Sequence, residues 1–169
     1  PQACDFDLSH LQMLLYGASP ISEALLKRAM ALLPNAELLQ AYGMTELAPL
    51  ATLLLPQDHH IESKMRSAGR AGLCADVRIV DENDQELPRG QVGEVVVRGP
   101  HVMLGYWNRP EATAEALKNG WMHTGDGAYM DDEGYVFVVD RIKDMIVTGG
   151  ENVYSAEVEN AIAQHSAVA

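Results

Sequence analysis

Two short apolar runs, at residues 11–15 and 36–39, flank a punctuated helical segment, and this order constrains the fold more than any other feature of the chain. Each run has strand length and no polar alternation, so each reads as a buried strand. Between them, Tyr16-Gly17-Ala18-Ser19-Pro20 is a tight turn of small residues. Ser22 then caps a helix, Glu23 favours its positive end, and Leu25, Leu26, Ala29, Met30 and Leu33 share a face, with Lys27 and Arg28 turned to water. Pro34-Asn35 stops it. Strand, helix and strand in this order make a β-α-β unit of a parallel sheet. Ligands sit where the strands of such sheets end, so Gly17 and Tyr42 can face one ligand.

The second run leads into Gln40-Ala41-Tyr42-Gly43-Met44-Thr45-Glu46, polar residues that leave the strand together. Each type suits an adenylate. Tyr42 offers a flat face for a purine, Gly43 lets backbone approach closely, Thr45 can donate a hydroxyl to phosphate, and Glu46 can hold the magnesium that travels with ATP. On these residues alone, a strand-to-helix turn capped by Thr45 is the competing reading.

With 169 residues, 47% of them hydrophobic, the chain is ample for a core and fits one domain, or one and a piece of another. The formal net charge of −12 argues against general binding to nucleic acid or acidic membranes. An anionic ligand must therefore meet a few placed cations and backbone N–H donors in a small pocket. Cys4 and Cys74 lie far apart, in no zinc-like spacing, which suits a reducing cytoplasm. The most apolar segment, residues 47–55, is too short to span a bilayer and contains Pro49, and no stretch resembles a cleaved signal. A soluble chain is expected. It opens at Pro1 without an initiator Met and stops at Ala169 just after a helix-like stretch, as an internal piece of a longer protein would.

Farther along, His59-His60 have no third ligand spaced for a metal and read as exposed loop histidines. From Met65 the texture becomes strand and turn: a strand over residues 76–80, a turn at Asp81-Glu82-Asn83-Asp84, and a strand over residues 93–98. Arg109-Pro110-Glu111 opens a short helix that Gly120 closes. In Trp121-Met122-His123-Thr124-Gly125-Asp126, the final carboxylate suits the vicinal hydroxyls of a ribose, with a plain turn Asp as the alternative. Asp131-Asp132-Glu133-Gly134 lacks the spacing of a calcium loop and reads as a solvated hairpin turn before a strand over residues 135–139. Arg141 and Lys143 are the last cations, and Gly149-Gly150 permits a turn that side chains would block. Ser155 can cap a final helix carrying Val158, Ala161 and Ile162. No dinucleotide fingerprint or Walker loop is present in these residues.

Taken in order, YGASPIS, QAYGMTE, GEVVVRGPHVMLGYW, WMHTGD and VVDRIKDMIVTGGENVYSAEVE resemble the adenylate-forming acyl-CoA synthetase family. The resemblance runs from about Leu11 to the end, yet covers roughly a third of a typical member. It implies an α/β plus β fold. Residues 1–64 would be the end of a parallel α/β sheet subdomain, residues 65–142 a β-barrel subdomain, and residues 143–169 the hinge and start of a small α+β C-terminal domain. It also implies that a carboxylic acid and ATP give acyl-AMP and pyrophosphate, and that CoA then displaces AMP.

By the same resemblance, Gly17, Ala18 and Ser19 line the adenine and acyl pocket, Tyr42 stacks on adenine beside Gly43 and Met44, and Thr45 and Glu46 serve catalysis through phosphate and magnesium. Asp126 and Arg141 take the ribose hydroxyls. Lys143 matches the hinge, and Gly149-Gly150 the loop beside the pantetheine tunnel. Ser155 stands where many members have Pro, and Asp140 where many have Gly. The family's Ser/Thr/Gly-rich phosphate loop and its catalytic lysine are not in these residues. The expected partners are thus a small carboxylic acid, ATP/AMP with magnesium, and CoA as co-substrate; no nucleic acid is expected, and a homo-oligomer stays open. A medium- or long-chain fatty acid is the leading acyl group. Alternatives are an aryl-CoA ligase, an acyl-AMP ligase, a peptide-synthetase adenylation domain, or an inactive piece with weak nucleotide binding.

Overall fold

The computed structural model describes residues 5–19, 21–142, 144, 146–148, 151–153, 158 and 161–162. In chain order these form β1 (Met13–Gly17), α1 (Glu23–Leu32), β2 (Glu37–Tyr42), β3 (Thr52–Leu54), β4 (Arg70–Ala71), β5 (Asp76–Val80), β6 (Gly93–Arg98), α2 (Pro110–Ala116), β7 (Leu117–Lys118), β8 (Trp121–Met130), β9 (Val136–Arg141), β10 (Ile146–Thr148) and β11 (Glu151–Val153). The β-α-β unit is present: β1 and β2 pair in parallel, Met13 beside Glu37 through Gly17 beside Ala41. Ser22 caps α1, its Oγ accepting the Leu25 N–H at 3.3 Å. Then β3 and β4 extend this sheet antiparallel, in the order β1-β2-β3-β4.

Several elements differ from the sequence reading, each for a physical reason. The first strand begins and ends two residues later than the apolar run, and Met13 and Leu15 stand exposed because they share one open face of β1, while Leu14 and Tyr16 on the other face are partly buried. Leu26 is the buried residue of α1, whereas Leu25 faces outward. Helix α2 ends at Ala116, because the chain turns into the short β7, and Gly120 instead makes the left-handed turn (φ +82°) into β8. Lys143, Gly149, Gly150 and Ser155 lie outside the described residues.

The second sheet runs β5-β6-β8-β7, with β9 also on β8, all antiparallel. Its apolar face supplies Ile79, Val95, Val97, Met122, Ala128, Met130 and Val136 to one core. Leu47 and Ala51, which follow β2, belong to that same core and are fully buried. Backbone bonds between Ala68-Gly69 and Val136 close the seam, at 2.7 and 2.9 Å. The acidic turn that reads as solvated is structural. Asp131 and Glu133 pair with the buried Lys64 at 2.5 and 2.7 Å, and Lys64 and Arg70 both lie over the Tyr135 ring.

His59 is likewise buried rather than exposed. Its Nδ1 donates to the Leu55 carbonyl at 2.9 Å, which leaves Nε2 to accept from the Tyr16 hydroxyl, also at 2.9 Å. Burial pushes the Tyr16 phenol up to about 12, so it stays a donor.

Two outcomes follow from this packing. Leu47→Ala should lower the unfolding free energy by about 2–5 kcal/mol in urea denaturation, because it empties a site shared by both sheets. Burial also lowers the His59 pKa from its ordinary 6.5. The unfolded chain then takes up a proton that folded His59 resists, so this contribution is complete above pH 6.5 or so and declines as pH falls toward the folded value. Melting temperature should drop between about pH 7 and pH 5. His59→Asn, which keeps a donor for Leu55, should flatten that slope, and an unchanged slope would place the titration elsewhere.

Candidate functional site

Tyr42 and Asp126 are far apart in sequence and in contact in space: the Tyr42 hydroxyl donates to Asp126 Oδ2 at 2.7 Å. Tyr42 closes β2 and packs its ring partly against the shared core. Burial first, then the nearby Asp126 charge, pushes its phenol well above the usual range, so it remains a donor. The sequence reading ends the strand at Leu39, but β2 carries Gln40, Ala41 and Tyr42 as well.

Beyond it, Gly43 is required by close approach, since a Cβ there would collide with the Pro49 carbonyl oxygen. Met44 begins a 3-10 turn over Thr45–Leu47, with no side-chain cap from either Met44 or Thr45. Thr45 is exposed. Glu46 is held twice: its carbonyl accepts the Met103 N–H at 2.8 Å, and Oε1 accepts the Tyr106 hydroxyl at 2.7 Å. Gly17 lies in register with Ala41, so Ala18 and Ser19 leave β1 at the same end at which Tyr42 leaves β2. Ala18 takes a left-handed backbone, φ +65°.

Asp126 sits within the ten-residue strand β8, not in a turn. Glu94 pairs with Gly127 and Val96 with His123, so Thr124, Gly125 and Asp126 stand opposite Val95 alone. This wide bulge is stitched by side chains. Glu94 Oε1 accepts the Gly125 N–H at 3.0 Å and Oε2 takes His123 Nδ1 at 2.9 Å. Thr124 Oγ1 donates to the Val95 carbonyl at 2.9 Å and accepts the Asp126 N–H at 3.1 Å. Arg141, opposite Asp126 on β9, reaches within 3.9 Å of Oδ1 and is otherwise largely in solvent.

The structure thus gathers Tyr42, Asp126 and Arg141, sets Gly17 at the end of the strand next to Tyr42's with Ala18 and Ser19 just beyond it, and continues through Gly43 and Met44 to Thr45 and Glu46. Sequence reasoning assigned no role to Glu94, His123, Thr124 or Tyr106. A lone acid inside the apolar run Gly93–Arg98 was the signal for Glu94. Among the described residues, no group of three or more His, Cys, Asp or Glu could hold a metal ion by itself. Glu46 offers one carboxylate, which fits magnesium bound chiefly through phosphate oxygens and water.

The family model described as AMP-binding enzyme matches residues 2–107. This chain belongs to the AMP-binding enzyme family. It is similar to a feruloyl-CoA synthase of Amycolatopsis sp, 48% identical over 92% of this chain and 31% of that protein. A medium/long-chain-fatty-acid–CoA ligase of Mycobacterium tuberculosis is 43% identical over all of this chain and 29% of its own length. Hence the chain spans about three-tenths of the length of these curated relatives. The O-succinylbenzoate coenzyme A synthetase of Bacillus subtilis, solved with ATP and magnesium ion, superposes with a TM-score of 0.84 at 37% identity, over 94% of this chain and 32% of that one. The fold is a piece of the acyl-CoA synthetase architecture. Among the described residues, no helix is long and apolar enough to cross a membrane.

Tyr42→Phe removes the donor and keeps the ring. It should cost about 1 kcal/mol of unfolding free energy, because Asp126 keeps some access to water. Urea denaturation of the variant measures this.

Proposed function

We propose that this chain is an internal piece of an AMP-forming acid–thiol ligase, in which residues 1–64, 65–142 and 143–169 belong to the sheet subdomain, the barrel subdomain and the hinge with the start of a mobile domain. The carrying observation is the Tyr42–Asp126 hydrogen bond, which joins a purine-sized aromatic face to a carboxylate fit for vicinal hydroxyls in a member of the AMP-binding family. In this reading Tyr42 stacks on adenine with Gly17, Ala18, Ser19, Gly43 and Met44 around it. Asp126 accepts from the ribose hydroxyls and Arg141 adds a cation beside them. Thr45 donates to phosphate. Glu46 would hold magnesium, which would supply positive charge beside the phosphate oxygens.

The acyl carboxylate attacks the α-phosphorus, pyrophosphate departs, and the CoA thiol then attacks the acyl carbonyl with release of AMP. Lys143 is proposed as the pivot between these two steps, and Gly149 and Gly150 as the lining of the pantetheine path. The setting proposed is the cytoplasm. A medium- or long-chain fatty acid is the proposed acyl group, supported by the likeness to the mycobacterial fatty-acid ligase across the whole chain. An aryl acid is the second reading, favoured by the feruloyl-CoA synthase relative.

Acid-dependent ATP–pyrophosphate exchange by the full-length protein, run over fatty and aryl acids with thioester formation followed in parallel, decides between these. Exchange with neither class would overturn the reading. The chain by itself should show no exchange, since adenylation needs several donors acting together on developing charge. In the full-length protein, Asp126→Ala should cost about 2–4 kcal/mol of nucleotide binding, roughly thirty- to a thousandfold, read by calorimetric titration with ATP.

A further inference from the structure

We infer that Glu94 is a positioning residue for the ribose site, acting by bracing the bulge that presents Asp126. The inference rests on the proposed role of Asp126 and adds a residue to it. Where three residues of β8 face one residue of β6, the ladder cannot satisfy every backbone group of the longer side. An unmet buried N–H is costly, so something else must accept from it. Glu94 supplies that acceptor from the opposing strand, with Oε1 on the Gly125 N–H at 3.0 Å. Its other oxygen is engaged at the near side of the bulge by His123 Nδ1 at 2.9 Å, and His123 Nε2 in turn lies 3.5 Å from Asp84 Oδ1. One carboxylate therefore spans Thr124, fixing the residues on either side of it.

Gly125 can take part because its backbone is left-handed, φ +75°, a conformation that side-chain-bearing residues rarely adopt. Its carbonyl is pinned from the other side by the Ile142 N–H at 2.9 Å. Both polar groups of the residue preceding Asp126 are thus held, and Asp126's own N–H is held by Thr124 Oγ1. A carboxylate that reads two hydroxyls needs a fixed direction, since charge-assisted hydrogen bonds weaken steeply when misaligned. Glu94 sets that direction without touching the ligand.

The geometry separates Glu94 from a residue that merely stabilises the fold. Loosening the bulge should weaken the grip on the ribose hydroxyls while sparing contacts to base and phosphate. The test compares ATP with 3′-deoxy-ATP, which lacks one hydroxyl, by titration calorimetry on the full-length protein. Wild type should prefer ATP. Glu94→Ala should weaken ATP binding about tenfold and 3′-deoxy-ATP binding much less, so that the preference collapses. Glu94→Gln keeps an oxygen for the Gly125 N–H and should retain most of the preference. Glu94→Asp, one methylene short of spanning both partners, should lose it; if the alanine variant does not fold, this pair still decides.

Equal weakening toward both nucleotides in Glu94→Ala or Glu94→Asp, or an unchanged preference in both, overturns the inference. Asp126→Ala is the companion measurement. If it leaves the preference intact, the assignment of Asp126 to the ribose fails, whereas loss of preference there with none in the Glu94 variants removes only the brace.

Discussion

Leu47 is the constraint on which the rest of the site depends. It follows Tyr42 by five positions on the way out of the first sheet, yet its side chain is buried among Ile79, Val95, Val97 and Met122 of the second. Burial of a leucine stabilises by about 1.5–3 kcal/mol, more than any single exposed polar contact nearby. The stretch from Tyr42 to Ala51 is therefore fastened to the second sheet, whatever the first sheet does. Tyr42 then has little choice of partner: its ring packs at the margin of that core and its hydroxyl finds Asp126. Two sequence stretches that look unrelated become one site through apolar packing around Leu47, which lies in neither.

The bulge in β8 solves a second packing conflict. Met122, Ala128 and Met130 all face the core, and each has the same parity as Asp126. In an unbroken strand, side chains two apart point the same way, so strict alternation would drive the Asp126 carboxylate into apolar packing. Burying an unpaired carboxylate costs far more than distorting a ladder. Two extra residues restore the parity of the flanks while freeing the segment between them, which is why a three-for-one bulge serves and a single extra residue would not. The cost is backbone N–H groups without ladder partners, and the side chains of Glu94 and Thr124 meet it.

These two features also mark what the sequence could and could not show. Strands β5 and β6 fall at the residues read from their composition and turns, because Asp81-Glu82-Asn83-Asp84 and the glycine before Glu94 punctuate them. The residues of the proposed nucleotide site were legible through the motifs taken together, since alone Thr45 also reads as a cap and Asp126 as a turn residue. The placement of Asp126 was not. Thr-Gly-Asp reads locally as a turn, and only the pairing of β6 with β8 shows it to be a bulge. His59 was misread for a related reason: adjacency to His60 argues against a metal, but says nothing of whether Tyr16, 43 residues away, will lie over it. Non-local partners decide burial, and local pattern carries no trace of them.

Glu46 shows the same dependence from the opposite side. On the sequence it is one acid in a polar stretch, free to point anywhere. In the fold, its backbone carbonyl is tied to the Met103 N–H and its carboxylate to the Tyr106 hydroxyl, both from the segment that follows β6. The hydrogen bond to Glu46 raises the Tyr106 pKa, so the phenol stays protonated and continues to donate. One carboxylate oxygen is thereby committed to holding the side chain still, and the other is left to meet a ligand. With a net charge of −12 on the chain, an anionic ligand gains nothing from the overall field. Affinity for such a ligand has to come from groups whose positions are set before it arrives, and in the role proposed for Glu46, sharing magnesium with phosphate, such fixing matters most. The stretch GPHVMLGYW, which carries part of the family resemblance yet holds no residue assigned to the nucleotide, supplies it.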